Sequence, residues 1–390
     1  MFRIATIVGA RPQFVKAAAV SRILREKYSG KIKEFLVHTG QHYDKDMSEV
    51  FFRELDLPRP YRHLGIGSGL HGEQTGKMLI AVEEILLRLE PDLVLVYGDT
   101  NSTLAGAIAA AKLNLPIAHV EAGLRSFNNA MPEEHNRKVT DHLSALLFCP
   151  TRTAVENLRK EGVSSRRDAL PLVMNSGDVM WDMLLRYEKK ITVQDKGRKN
   201  ILDRLGICRK KFVLATLHRP SNTDSPRQLF RLLRMLGAIS RKGYTVILPL
   251  HPRTRHKMES RLSAKQQKTL RAFKALHIIP PVPYLDMIRL EKHSSLILTD
   301  SGGVQKESFF FRKPCITLRK ETEWVELVKT GNSKLTGSDP RKILSAFSAL
   351  TNKKSFPYPS FYGKGNAAKK ITREIFRYLR KNTARGNRVL

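Results

Sequence analysis

Residues 93–121, LVLVYGDTNSTLAGAIAAAKLNLPIAHVE, decide the fold. Leu93–Tyr97 and Ile117–Glu121 are short, mostly apolar runs of strand type, and the alanine-rich stretch from Thr100 to Lys112 between them reads as a helix. A strand, a helix and a second strand within so short a span predict parallel strands joined by a crossover.

The same alternation extends outward. Further strands are expected near Arg3–Val8, Lys33–His38, Leu146–Cys149 and Leu170–Met174. Helices fit between them, for example Gly72–Leu89, where Met78, Leu79, Val82, Ile85, Leu86 and Leu89 recur at helical spacing. The pattern fades between Asp178 and Lys211, around Asp195, Lys196, Gly197 and Arg198, and a linker is expected there. It restarts with Phe212–Leu217, Tyr244–Leu250, His277–Ile279, Leu296–Thr299 and Cys315–Leu318. A chain of 390 residues is too long for one ordinary core. The expectation is an α/β protein with two Rossmann-like, doubly wound domains, 1–180 and 181–362, facing a central cleft. A last helix, Asn366–Lys381, follows the turn Tyr362-Gly363-Lys364-Gly365. With the basic tail it forms a segment 363–390 expected to pack back on the first domain.

Hydrophobic content of 41% and charged content of 27% are those of a folded chain. Met1–Val8 is too short an apolar run for a signal peptide, and no stretch suits a membrane span. Cys149, Cys208 and Cys315 are widely spaced near apolar segments, which argues against a disulfide framework or a zinc cluster and fits a cytoplasmic location. The net charge of +33 is the one anomaly. Its lysines and arginines are spread along the chain, thickening at Lys189–Lys211 and Lys364–Arg388, without the interleaved aromatics of RNA binders. It reads as a solvated basic surface, and nucleic acid is not an expected partner.

Strand ends carry the unusual polar clusters. In the first half these are Gly9-Ala10-Arg11-Pro12, Gly98-Asp99-Thr100 and Glu121-Ala122-Gly123-Leu124-Arg125. Asp99 suits a plain helix cap as well as chemistry. Glu121 and the helix start Pro132-Glu133-Glu134, followed by Asn136-Arg137, add carboxylates able to act as acid and base, although helix-start acids also serve the dipole. In the second half, Thr216-Leu217-His218-Arg219 puts an imidazole and a guanidinium at a strand end, with Asn222 close behind. His251 is weaker, a plain core histidine being as good a reading. The most specific local signal is Thr299-Asp300-Ser301-Gly302-Gly303-Val304-Gln305-Lys306-Glu307, a strand running through paired glycines into a helix. Free N–H groups at such a helix start suit a diphosphate, and Glu307 suits ribose hydroxyls. Gly67-Ser68-Gly69-Leu70-His71-Gly72 matches the dinucleotide pattern, but the first strand leads elsewhere and no ribose acid follows, so no nicotinamide cofactor is expected. There is no Walker motif, no nucleophile elbow and no metal-spaced cluster, so no metal is expected either.

Together, Gly9-Ala10-Arg11-Pro12 with Lys16, Gly98-Asp99-Thr100, Glu121–Arg125, Pro132-Glu133-Glu134, His218-Arg219 and Asp300-Ser301-Gly302-Gly303 resemble the non-hydrolysing UDP-N-acetylglucosamine 2-epimerases. Gly72-Glu73-Gln74-Thr75-Gly76, Asn175-Ser176-Gly177-Asp178 and Tyr362-Gly363 continue the likeness in the family's order, over nearly the whole chain. The resemblance implies a GT-B fold, a homodimer, no cofactor, and interconversion of UDP-GlcNAc with UDP-ManNAc through elimination and re-addition of UDP. It implies Asp99, Glu121 and Glu133 as acid and base groups and His218 beside the diphosphate. It further implies Arg11, Ser301, Gly302 and Gly303 at the phosphates, Glu307 at the ribose, Lys16 and Arg319 near the sugar phosphate, and Arg219 among the substrate-binding residues. Three stretches depart from the pattern. His218-Arg219-Pro220-Ser221-Asn222 lacks the acid of the family's usual His-Arg-Arg-Glu-Asn. Gln41-His42 begins a segment that binds an activating UDP-GlcNAc in bacterial members, but Tyr43-Asp44-Lys45 leaves it, so the sequence leaves activation open. Glu321-Thr322-Glu323-Trp324-Val325-Glu326 and Gln41–Asp44 look more like the branch acting on UDP-2,3-diacetamido-2,3-dideoxyglucuronate. A GT-B glycosyltransferase is the other enzyme class compatible with this reading.

Overall fold

The structure, a computed structural model, describes residues 1–41, 52, 54–165, 170–195, 199–208 and 211–384. The chain divides into two compact units, Met1–Arg186 with Ser360–Leu390, and Tyr187–Pro359.

The first unit is built on a parallel sheet of β1 (Phe2–Val8), β2 (Ile32–His38), β3 (Arg62–His63), β4 (Leu93–Tyr97), β5 (Ile117–Val120), β6 (Leu146–Cys149) and β7 (Leu172–Asn175). Their spatial order is β3-β2-β1-β4-β5-β6-β7. The central strands are covered on both faces by helices, which is why Ile4, Ala5, Ile7 and Leu93–Tyr97 form nearly unbroken apolar runs with no exposed surface. The sequence winds outward in one direction from β1 and in the other from β4. The two strands are direct neighbours, with Ala5 beside Val94 and Ile7 beside Val96, and the loops that follow them flank the topological switch point. The helix expected at Gly72–Leu89 spans His71–Leu89 and buries Gln74, Met78, Val82, Leu86 and Leu89 along one stripe. It stops where Glu90 turns left-handed, at φ 45°.

The second unit repeats the plan with β8 (Phe212–Thr216), β9 (Thr245–Pro249), β10 (Leu276–Ile279), β11 (Leu296–Thr299), β12 (Cys315–Thr317) and β13 (Ser333–Leu335). The order is β10-β9-β8-β11-β12-β13, all parallel, so its switch point lies between β8 and β11, where Thr216 pairs with Thr299. Leu229, Leu232, Leu233, Leu236 and Ile239 of the helix Pro226–Ser240 pack into the main core of this unit with Leu248, Leu298 and Phe347.

Sequence and structure part at three elements. β3 and β13 were not anticipated: one is two residues long and exposed, the other is three residues with a lysine at its centre. The expected linker 178–211 contains the helix Val179–Gln194. The division between units falls after Arg186, so the buried Met183 and Leu184 belong to the first and the buried Tyr187 and Ile191 to the second. Lys196, Gly197 and Arg198 lie outside the described residues, as do His42, Tyr43 and Asp44.

The last helix, Ala367–Ala384, belongs to the first unit. Phe376 lies against Phe2 and Tyr28, with ring centroids 6.3 and 5.1 Å apart. Its first turn is capped from a distance, the N–H groups of Ala367 and Ala368 donating to the Asp182 carboxylate at 3.1 and 2.8 Å. The Asn175–Asp178 motif ends against the turn before this helix, where the Asp178 N–H donates to the Tyr362 carbonyl at 3.0 Å.

Candidate active site

In the first unit the switch point is fastened by Gln13, two residues beyond the Arg11 that opens the helix Arg11–Tyr28. Its Oε1 accepts from the N–H groups of Gly9 and Ala10 at 2.8 and 3.0 Å. Its Nε2 donates to the Tyr97 carbonyl and the Thr103 hydroxyl, both at 2.9 Å. One amide therefore ties the end of β1 to the end of β4. Gly9 is required by contact: a Cβ there would lie 2.0 Å from the Thr39 hydroxyl and 2.2 Å from that of Ser102. Arg11 is half-buried at the start of its helix, where the positive end of the helix dipole favours an anion.

Lys16, one turn further along, ion-pairs with Glu121 at the end of β5. Both side chains are almost wholly buried, 7% and 9% exposed. Gly98 makes room for the pair. It adopts a left-handed φ of 64°, and a Cβ would stand 2.9 Å from the Lys16 ammonium. Glu121 itself has φ 75°, a conformation that costs a non-glycine residue about 1–3 kcal/mol and persists only where the surroundings enforce it. Next door, Tyr97 of β4 pairs with Val120 of β5, so Asp99 and Glu121 emerge from adjacent strands. Asp99 is gripped from the helix Pro132–Leu143: the Arg137 guanidinium pairs with its carboxylate, and Asn136 Nδ2 donates to its carbonyl at 2.9 Å.

The acid pair at that helix start splits into two roles. Glu133 is half-exposed on the first turn. Glu134 is fully buried and accepts from the Ser126 N–H and hydroxyl, both at 2.8 Å, from the Phe127 N–H, and from Arg137 at 2.9 Å. Burial alone would raise its pKa, but these donors hold it below the usual carboxylate range, so Glu134 is a structural anion.

Beneath the two strand ends lies a wholly buried network that the sequence did not announce. Asp141 accepts from His119 Nδ1 at 2.7 Å, from Arg125 Nη1 at 2.7 Å and from the Gly123 N–H at 3.1 Å. Burial works against its charge, yet His119 and Arg125 keep its pKa depressed. Arg125 also forks onto Glu161, with bonds of 2.7 and 2.6 Å.

In the second unit the centre is Asp300, at the end of β11 and fully buried. It accepts from the N–H groups of His218 and Arg219, from Asn222 Nδ2 at 3.0 Å, and from His218 Nδ1 at 2.9 Å. Burial raises its pKa, but the His218 ring, the Asn222 amide and the Arg219 N–H outweigh that and lower it. The carboxylate at Nδ1 fixes the tautomer, so Nε2 of the 44%-exposed His218 is left to act outward. Asn222 is thus a local brace where the family pattern carries its acid one residue earlier. Arg219 is turned inward through Nε, which donates to the Asp300 carbonyl at 2.9 Å.

Ser301 caps the helix Gly302–Phe310, its hydroxyl accepting from the Val304 N–H. The opening N–H groups of Gly302 and Gly303 then form a terminus of the kind that binds phosphate. Glu307 is buried on the same helix, 3.4 Å from the Tyr284 hydroxyl. Arg319, also buried, pairs with Glu323 at 2.9 Å. A Cβ on Gly302 would lie 2.8 Å from the Glu323 carboxylate, so the Glu321–Trp324 stretch abuts the helix start. The sequence pattern Gly67–Gly72, by contrast, follows the two-residue edge strand β3 and runs from a loop into the first two residues of the helix His71–Leu89.

The strand-end residues therefore gather as two groups. Lys16, Asp99 and Glu121 join at the first switch point, with Glu133 on the helix that grips Asp99. His218, Arg219 and Ser301–Gly303 join at the second. Gln13, His119 and Asp141 were missed. The available signals were slight: a lone imidazole in the apolar strand β5, and an acid near the end of a polar helix.

The model of the UDP-N-acetylglucosamine 2-epimerase family matches residues 25–376. A UDP-N-acetylglucosamine 2-epimerase homolog of Methanococcus maripaludis is 50% identical over 97% of this chain and 100% of its own. The UDP-2,3-diacetamido-2,3-dideoxy-D-glucuronate 2-epimerase of Pseudomonas aeruginosa is 48% identical over 95% of this chain and 98% of its own. The crystal structure of Methanocaldococcus jannaschii UDP-GlcNAc 2-epimerase, in complex with UDP-GlcNAc and UDP, superimposes with a TM-score of 0.86 at 39% identity, covering 96% of this chain and 99% of that one. With two doubly wound parallel sheets of the GT-B type and similarity over nearly its full length, the chain belongs to the UDP-N-acetylglucosamine 2-epimerase family of isomerases.

Proposed function

We propose that this protein interconverts UDP-GlcNAc and UDP-ManNAc by eliminating UDP and adding it back. The C2 hydrogen of a 2-acetamido sugar is not acidic enough for direct exchange. A carboxylate takes that proton as the C1–O bond breaks, the C–H electrons form the C1=C2 double bond of 2-acetamidoglucal, and the bond pair leaves with UDP. Re-addition of UDP to C1, with a proton delivered to the other face of C2, completes the inversion. The route is redox-neutral and needs no redox cofactor.

The observation that carries this reading is the emergence of Asp99 and Glu121 from neighbouring strands, with Lys16 paired to Glu121. Acid and base groups are thereby concentrated at one switch point. We assign Asp99, Glu121 and Glu133 to proton transfer at C2. We assign His218, Arg11, Arg219 and the Ser301-Gly302-Gly303 terminus to the charge that grows on the departing diphosphate. Glu307 is assigned to the ribose, and Lys16 and Arg319 to the sugar phosphate. A homodimer in the cytoplasm completes the proposal, on the strength of the family resemblance.

A second substrate is favoured by a specific observation. The relative named for the diacetamido uronate is 48% identical, and Glu323 and Trp324, in the Glu321–Glu326 segment that resembles that branch, abut the Gly302 helix start. Incubating the protein with each UDP-sugar in deuterium oxide, and following C2 by proton NMR, decides between them. Epimer formation with C2 deuterium from UDP-GlcNAc, abolished by Glu121→Gln, supports the first reading. Exchange confined to the diacetamido uronate selects the second. Transfer of the sugar to an added acceptor, with no exchange at C2, would indicate a glycosyltransferase.

A further inference from the structure

His119 is central to β5, its side chain has no exposed surface, and both of its ring nitrogens face acceptors. Nδ1 lies 2.7 Å from the Asp141 carboxylate and Nε2 lies 2.8 Å from the Gly98 carbonyl. A carbonyl oxygen has no proton to offer, so Nε2 must donate to it. Asp141 already receives the Arg125 guanidinium and the Gly123 N–H, and it therefore acts as a carboxylate that takes the Nδ1 proton. The geometry calls for a doubly protonated ring. Its charge is balanced inside the network by Asp141, as that of Arg125 is by Glu161.

What this ring holds is not ordinary core. Gly98 carries the left-handed turn that leads into Asp99 and leaves space for the Lys16 ammonium. Its N–H is spent on the Val120 carbonyl at 2.9 Å, so the His119 bond fixes the other end of the same residue. Asp141 meanwhile binds the Gly123 N–H directly, within the turn that follows Glu121. One buried pair thus sets the backbone under both strand-end carboxylates.

We propose that His119 is a positioning residue: a buried imidazolium, anchored on Asp141, that holds the Gly98 turn so that Asp99 and Glu121 meet the sugar in fixed register. The proposal rests on the acid and base roles assigned above. A histidine that merely fills the core would need neither the second proton nor the carbonyl contact.

Two measurements test it. In wild-type protein labelled with 15N-histidine at pH 7.5, free of substrate, NMR is expected to show one imidazolium whose two N–H protons exchange slowly with water. Finding only neutral rings overturns the proposal, and this readout does not depend on catalysis. In His119→Gln, whose amide cannot bridge both partners, kcat per folded molecule is expected to fall about 30-fold, with KM changed less than threefold. The primary isotope effect from C2 deuterium should rise as proton transfer becomes slower than the other steps. A loss of activity that only tracks the fraction folded, at an unchanged isotope effect, overturns the positioning role. Should His119→Gln fail to fold, the wild-type spectrum decides. If the wild type epimerises neither UDP-sugar, the function reading fails while the spectrum still reports on the imidazolium.

Discussion

His218 has one ring nitrogen committed to Asp300 and the other directed away from it, the arrangement by which a buried carboxylate orients an imidazole and offsets its charge when it donates as an imidazolium. Asp300 also binds the two N–H groups that shape the His218 loop, so it fixes the ring and the backbone together. Asp300→Asn puts an NH2 where one of those donors must be met. We expect kcat to fall on the order of 10²-fold, as when one donor to a developing anion is lost, with the protein still folded by circular dichroism. Activity within a fewfold of wild type would show that His218 needs no such anchor. The Lys16–Glu121 pair makes a separate prediction. Lys16→Met removes the cation that faces the buried Glu121 carboxylate and is expected to cost about 3–5 kcal/mol of stability. Adding Glu121→Gln should recover much of that loss in denaturant melts, whereas strictly additive losses would mean the two groups are not coupled.

At the scale of elements, the strand ends were the legible part of the site. Gly98-Asp99, Glu121, His218-Arg219 and Ser301–Gly303 stand out because polar clusters interrupt apolar runs at the point where a parallel strand must turn. Their supports were not legible, because His119 and Asp141 are 22 residues apart and meet only when a helix packs across the sheet. The helix Val179–Gln194 was read as linker because the charged run from Arg186 to Lys190 masks its pattern, although Met180, Met183, Leu184, Tyr187 and Ile191 recur at helical spacing and are buried. That helix carries a titratable joint. Burial raises the Asp182 carboxyl to about 6, against the Ala368 and Ala367 N–H groups that favour its charge, and Asp178 adds to the rise. A raised folded-state pKa favours the protonated group. Its stabilising contribution is full below the unfolded value near 3.8 and is lost as pH climbs through about 6. A shift of this size corresponds to at most about 3 kcal/mol. Relative to Asp182→Asn, the wild-type melting temperature should fall by several degrees between pH 4 and pH 7. Parallel curves for the two proteins would remove Asp182 from the account.

Across the whole molecule, alternating short strands and helices made two doubly wound sheets readable, and the missed strands β3 and β13 are short edges that add little apolar pattern. The charge of +33 is spread over both units. Lys369, Arg373, Arg377 and Arg380 are exposed on the last helix of the first unit, and Arg227, Arg231 and Arg234 line an exposed stripe of the second. A dispersed surface of this kind should bind oligonucleotides weakly near 0.15 M salt, without base preference and without response to Glu121→Gln. Saturable nanomolar binding under those conditions would give the charge a nucleic-acid role.

The central claim is that the bond between the sugar and UDP breaks in every turnover. Substrate carrying 18O in the oxygen that bridges C1 and the β-phosphorus tests it directly. Free UDP held by the protein can rotate its β-phosphate before re-addition, so the label is expected to scramble into non-bridging positions, visible by 31P NMR as epimerisation proceeds. Epimerisation with C2 deuterium uptake and the label left wholly in the bridge would contradict elimination.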